Sequence, residues 1–244
     1  MSALTESPLQ KTTYAALTDL LREEIVSGRL PAGSRLTVDE VASRYGVSHM
    51  PVREALQRLQ GEGLIVLLPH KGARVVSIDA QLVNDIYNLR GAIESLLARL
   101  SLPNLTNASI ARLDDLFRQF VEAAENRDEK LVFALNAEFH SLLYRHANNP
   151  VALEIYDRYA GLMRALRGKY GIGPGRLSER VAGLSEVLDA LHAQDEERLG
   201  KEMELQCELA KKDLLSLMVQ EREAQMADNA DPTTARLLRS ASFG

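Results

Sequence analysis

Leu17, Leu20, Leu21 and Ile25 recur at helical spacing until Gly28 ends the run, predicting a first helix after ten polar, unpatterned residues. Pro31 and Gly33 then make a turn. Thr37 stands as an N-cap before VDEVASRY, where Val38, Val41 and Ala42 share one side, so a short second helix follows and stops at Gly46. Ser48 is placed to cap a third helix through PVREALQRLQ, whose apolar stripe is Val52, Ala55, Leu56 and Leu59. Next come LIVLL, then Pro69-His70-Lys71-Gly72, then ARVVS, two short β-rich runs about a turn that read as a hairpin.

From Asp79 onward strand patterning ceases. Long amphipathic segments separated by Pro, Gly, Asn and Thr predict helices near 80–101, 106–126, 129–147, 150–169, 176–193 and 196–222. The fold class is therefore mainly α, with an N-terminal winged helix-turn-helix over 11–76, whose wing is the hairpin, and an all-helical domain over 80–222. Residues 77–79 make a linker too short for independent tumbling, and 1–10 and 223–244 are expected to be flexible tails.

Composition adds limits. The 244 residues are 45% hydrophobic and 26% charged, ordinary for a globular protein of one or two domains. MSALTESPLQ lacks the basic and apolar regions of a secretory signal, and no apolar run approaches a membrane span, so a cytoplasmic protein without membrane contact is expected. The single cysteine, Cys207, excludes an intramolecular disulfide framework and a cysteine-rich zinc site, and reads as an ordinary helix residue. The net charge of −5 is unevenly distributed. Up to Val76 there are nine Lys and Arg against eight Asp and Glu, leaving twenty against twenty-six beyond it. The acidic excess thus belongs to the helical domain, and the first domain is free to meet a phosphate backbone.

The third helix has the makings of a DNA-reading element, with donors at its start beside the apolar stripe that seats it. Arg53 is placed to reach a guanine edge, while Ser48, His49 and Pro51 lie at the helix start, where backbone amides can meet phosphate. Arg35 and Thr37 are further phosphate candidates, and His70, Lys71 and Gly72 form a wing tip for phosphate or the minor groove. The bland alternative for Arg53 is an ion pair with Glu54 or Glu40.

These residues carry a resemblance. The run from Ile25 to Val75 resembles the N-terminal domain of the GntR family, with Gly28 to Gly33 matching G-x-L-x-P-G, Pro51 to Leu56 matching P-V-R-E-A-L intact, and a Gly-Leu entry to the wing. One departure matters: the family usually has Arg after the Ser of G-V-S, where this chain has His49. His is shorter and mostly neutral at pH 7, so that base contact is lost, altered or made pH-dependent. The helical part resembles the FadR-like branch with its FCD-type ligand-binding domain, through IYNLRGAIESLLARL and NAEFHSLLYRHANNP. The resemblance implies an antiparallel bundle around a polar cavity that binds an effector and supports dimerisation, and many members hold a divalent metal there on one Asp and three His. Here the first two ligand positions fall on Asn136 and His140, four residues apart on one helix face, and the others on Leu184 and Gln206. One imidazole with two amides is too weak a set, so no metal is expected, with His146 or His192 the only candidates to rescue a site.

Without a metal, the expected effector site is Arg90, Asn136, His140, Tyr144, Arg164 and Gln206, suited to an organic acid. Arg90 either grips a carboxylate or pairs with Glu94 one turn on, and the sequence leaves both readings open. Phe117, Phe120, Phe133 and Phe139 fit helical core spacing and are assigned to packing. The expected function is a ligand-responsive transcription repressor, released by a small metabolite and working as a homodimer on an inverted-repeat DNA operator. The alternatives are a metal-binding regulator of the same family and a helical-bundle enzyme. No nucleophile–base pair, phosphate loop or H-E-x-x-H spacing supports the enzyme.

Overall fold

The computed structural model describes residues 8–69 and 71–229. The N-terminal part, or head, comprises α1 (Pro8–Val26), β1 (Arg35–Leu36), α2 (Val38–Tyr45), α3 (His49–Gly61), β2 (Ile65–Leu68) and β3 (Gly72–Val75). α1 starts inside the segment expected to be an unstructured tail; proline suits a first helical position, where its missing N–H has no partner to lose. α2 is closed by a full capping box: the Glu40 amide donates to Thr37 Oγ1, and Glu40 accepts from the Thr37 amide. Ser48 occupies the N-cap of α3 in extended conformation, but its side chain makes no capping bond, which corrects the expected role.

The wing is larger than the predicted hairpin. It is a three-stranded antiparallel sheet in the order β1-β3-β2, with Arg35 opposite Arg74 and Ile65 opposite Val75. At two residues, β1 is too short to show an alternating pattern in sequence. Gly72 makes the close approach possible: its φ is +82°, and a Cβ there would run into the backbone carbonyl of Leu36.

The C-terminal part comprises α4 (Ala80–Ser101), α5 (Asn107–Glu125), α6 (Glu129–Tyr144), α7 (Pro150–Tyr170), α8 (Arg176–His192) and α9 (Glu196–Asn229), with single 3-10 turns at Leu102–Asn104 and Arg145–Ala147. Asp79, Thr106, Asp128 and Asn149 each accept a backbone N–H from the first turn of the helix they precede, so the starts of α4 to α7 are fixed by local chemistry. α9 runs through Asn229, overrunning the expected tail boundary at 222. α4 lies along α9, while α5 packs on α6 and α8. Among the described residues, no helix is long and apolar enough to cross a membrane.

Two apolar cores result. One holds Leu97, Leu113, Phe120, Phe139, Leu143, Leu184 and Leu191 inside the bundle. The other is continuous across the two parts, joining Leu21, Leu56, Leu59 and Ile65 of the head to Val83, Ile86, Leu162, Leu166 and Leu214. A buried ion pair lies at that join. Arg22 Nε and Nη2 donate to the two oxygens of Glu62 at 2.7 Å each, Arg22 also meets Asp19, and a Cβ built on Gly161 of α7 would sit 2.6 Å from the guanidinium carbon.

Candidate functional site

The outward front of α3 is the first candidate surface. Val52, Ala55, Leu56 and Leu59 seat the helix, and Arg53 stands exposed with no ion pair or hydrogen bond to any described residue. The alternative pairing with Glu40 or Glu54 is not formed; Glu40 is committed to its capping box. His49 Nε2 lies 3.3 Å from Asp39 Oδ1 of α2, both exposed. Pro51 is buried beneath the helix start, so it shapes that turn and offers no side chain outward. Met50, which the sequence reading passed over, is 56% exposed between them. Its thioether side chain supplies an apolar contact of the kind a thymine methyl accepts.

Arg35 is partly spent on structure, since Nε donates to the carbonyl of Lys71 at 2.7 Å and ties β1 to the wing. Thr37 is likewise engaged, with Oγ1 donating to Glu40 at 2.8 Å. Lys71 is exposed at the wing tip; Gly72 is half-buried and acts through its backbone; His70 lies outside the described residues.

The second candidate site is a polar cluster within the helical domain. Glu94, 3% exposed, accepts from Arg90 Nε at 2.7 Å and from Tyr144 Oη at 2.8 Å. Tyr144 stacks edge-on against Tyr156 at 5.0 Å, and the Arg90 guanidinium lies over the rings of Tyr87 and Tyr156 at 5.5 and 5.8 Å. Burial works against charge on both members of the pair. The Glu94 carboxylate nevertheless holds Arg90 above its usual range, and Arg90 with His140 and Tyr144 holds Glu94 below the usual carboxylate range. Of the two readings of Arg90, its pairing with Glu94 is the one formed.

His140 is buried on α6. Its Nδ1 lies 2.7 Å from the carbonyl of Asn136, and because a carbonyl only accepts, Nδ1 carries the proton and Nε2 presents a lone pair. Burial pushes its pKa down, against the opposing pull of Glu94, so the ring is neutral at pH 7. Gln206 donates to the carbonyl of Gly183 at 2.9 Å, and Leu184 is buried in the apolar core. The four positions the resemblance assigns to metal ligands therefore offer one imidazole, two amides and a hydrocarbon, and do not fit a divalent ion. Nor do the other histidines complete the set. His146 is 3.1 Å from Ser109 Oγ, and His192 pairs with Asp114 at 2.8 Å beside a surface cleft of about 410 Å³.

Arg164 does not join the cluster: it is exposed on α7, whose buried residues at this level are Leu162, Met163 and Leu166. Phe120 and Phe139 are buried and Phe117 packs beside them, but Phe133 carries the Arg180 guanidinium over its ring at 5.5 Å. Arg180 escaped the sequence reading, although the signal was there. It lies four residues before Leu184, one turn from a position already mapped to the site.

The comparisons with known proteins divide the chain between the same two parts. Residues 13–75 match the model of the gntR family of bacterial regulatory proteins, and residues 85–206, half the chain, match the FCD domain. The chain is 28% identical over 179 residues to the HTH-type transcriptional regulator McbR of Escherichia coli, covering 72% of this chain and 81% of McbR. It is 30% identical over 148 residues to the HTH-type transcriptional repressor RspR of the same species, covering 61% and 65% of the two chains. The solved structure of E. coli McbR/YncC superposes with a TM-score of 0.64 at 25% identity, over 86% of this chain and 98% of that one.

Proposed function

Because the chain belongs to the GntR family of transcription regulators, in the FadR-like branch that carries an FCD domain, we propose that it is a repressor released from DNA by a small organic acid bound among its C-terminal helices. The observation that carries the reading is Arg53. It is exposed, lacks a partner among the described residues and stands on a helix firmly seated by its opposite face. A buried guanidinium already spent on Glu94 is structural, whereas an unpaired one on a surface helix is available for base edges. One such helix spans too few base pairs for useful specificity, so two copies act together as a homodimer on an inverted repeat in the cytoplasm.

In this reading the effector shifts the relative placement of two heads, and so must favour one arrangement energetically. The continuous core between head and bundle supports such coupling, since a displaced α7 or α4 moves side chains that also pack the head. Selection of bound fragments from the host's genomic DNA, followed by fluorescence anisotropy on the selected site, tests the proposal. The expected result is an inverted repeat with half-sites about 10 bp apart, preferred at least ~10³-fold over competitor and weakened by one class of carboxylate. Competitor bound nearly as well as the selected site would refute sequence-specific regulation, and a selected site indifferent to every acid would refute ligand release.

A further inference from the structure

Four arginines converge on the interior of the helical domain, and three of them have an anionic partner. Arg90 is paired with Glu94, Arg167 Nη1 donates to Asp213 at 2.7 Å, and Arg176 meets Glu179 with Asp213 at 4.0 Å. Arg180 has neither ion pair nor hydrogen bond among the described residues; its contact is the face of Phe133. The other groups that face it supply no negative charge: Tyr87 is a phenol, His140 is neutral, and Arg167 and Arg176 repel it. Asp213 attracts it only from beyond ion-pair distance and is already shared by two other arginines. The cluster thus retains one positive charge without a counterpart. Crowding by protein lowers the pKa of Arg180 to about 10, through desolvation first and Arg167 next, yet the group stays cationic at pH 7. Arg180 is half-buried, and a cation partly screened from water with no partner is one that an arriving anion stabilises.

The wall beside Arg180 is suited to the rest of such a ligand. Phe133, Asn136 and His140 follow at i, i+3 and i+7 along one face of α6. The Asn136 side-chain amide has no partner among the described residues, and Nε2 of His140 has its lone pair free. We propose that Arg180, and not Arg90, is the anion grip of the effector site, and that the effector is a small monocarboxylate held by the guanidinium fork with Asn136 and His140 as neutral partners. The inference rests on the ligand-responsive reading above and narrows it. One unmatched positive charge accepts one negative charge; a dianion brings a second for which no free guanidinium remains.

The test is thermal unfolding of the full-length protein with acetate, propionate and benzoate, with chloride at equal ionic strength and with inorganic phosphate as a separate arm. At least one carboxylate is expected to raise Tm by about 5 °C or more near saturation, and chloride is not. Arg180→Gln is expected to abolish that rise while leaving the free protein as stable as wild type or more so, because it removes an unpartnered cation. A structural arginine would show the opposite. Arg180→Lys, which keeps the charge and loses the fork, should retain a rise reduced about tenfold in apparent affinity, and it stands in if the Gln variant does not fold. The proposal is overturned by a rise of equal size in wild type and Arg180→Gln, by a response to phosphate alone, or by no response to any carboxylate. Anisotropy on the selected DNA separates the two claims: carboxylate binding that depends on Arg180 without change in DNA affinity leaves the anion site standing and removes its regulatory role.

Discussion

Gly161→Ala should destabilise this protein although it places a better helix former in mid-helix. In an open position on α7, Gly→Ala gains about 0.5–1 kcal/mol from backbone entropy. At 161 the new methyl would lie 2.6, 2.8 and 2.9 Å from the carbon and two nitrogens of the Arg22 guanidinium. A long side chain usually swings away from such a contact, but this one is 4% exposed and clamped by both oxygens of Glu62, itself 1% exposed. Displacing it leaves a buried carboxylate without its partner, a change that costs about 3–5 kcal/mol when a buried pair is broken. The net is a loss of about 2–4 kcal/mol, a Tm lower by roughly 5–15 °C for a chain of this size. Gly168, on the same helix, is the control, because a methyl added there would meet nothing within 4 Å: Gly168→Ala should raise Tm by about 1–4 °C. Scanning calorimetry on both variants decides the matter. If Gly161→Ala is stabilised as Gly168→Ala is, the clamp is not rigid and the reasoning is wrong. If it remains destabilised by the same amount when Arg22→Met and Glu62→Leu are also present, the clash with Arg22 is not the cause.

Three further outcomes are expected. Arg53→Ala should weaken the selected DNA site by about 1–3 kcal/mol, roughly 5- to 150-fold in anisotropy, with Tm unchanged because the side chain has no described partner. His140 titrates lower in the folded chain than in the unfolded one, so as pH falls the unfolded state takes up the proton first. Its contribution is whole above about pH 6.5 and declines below it by at most about 1.4 kcal/mol per pH unit, a slope that His140→Gln should remove from the pH dependence of Tm. Glu94, held low, keeps its contribution down to the usual carboxylate range and loses it as the pH falls on from there, so the loss from His140 begins first. Gly72→Ala should weaken DNA binding and lower Tm together, because it strains a positive φ and drives a methyl into the Leu36 carbonyl that holds β1 against the wing; circular dichroism melts and anisotropy check both.

The elements most legible in the sequence were those fixed by local chemistry. α4 to α7 lie within a few residues of their predicted spans because Asp79, Thr106, Asp128 and Asn149 cap their starts where the apolar period begins. β1 was not legible, since its pairing with β3 is a tertiary event that needs only two residues and a glycine. The site divides in the same way. That Arg90 and Glu94 are one turn apart is written in the sequence, but whether they pair or face a ligand depends on Tyr144, fifty residues away, whose hydroxyl completes the shell of Glu94. Arg180 was overlooked for the complementary reason: what distinguishes it is the lack of a partner among the described residues, and a sequence displays charges without showing which of them cancel.

The continuous core between head and bundle bears on how such proteins are recombined. Trading DNA-reading heads between relatives at the Ser77–Asp79 joint looks simple on a sequence diagram. Here a cut at that joint parts Leu56 and Ile65 from Val83, Ile86, Leu162 and Leu166, which finish the interior of the head, and it parts Arg22 from the glycine that makes room for it. A workable chimera must transplant the opening turns of α4 and the facing stretch of α7 together with the head. The unit of exchange is therefore discontinuous in the chain, and is drawn by contact rather than by the linker.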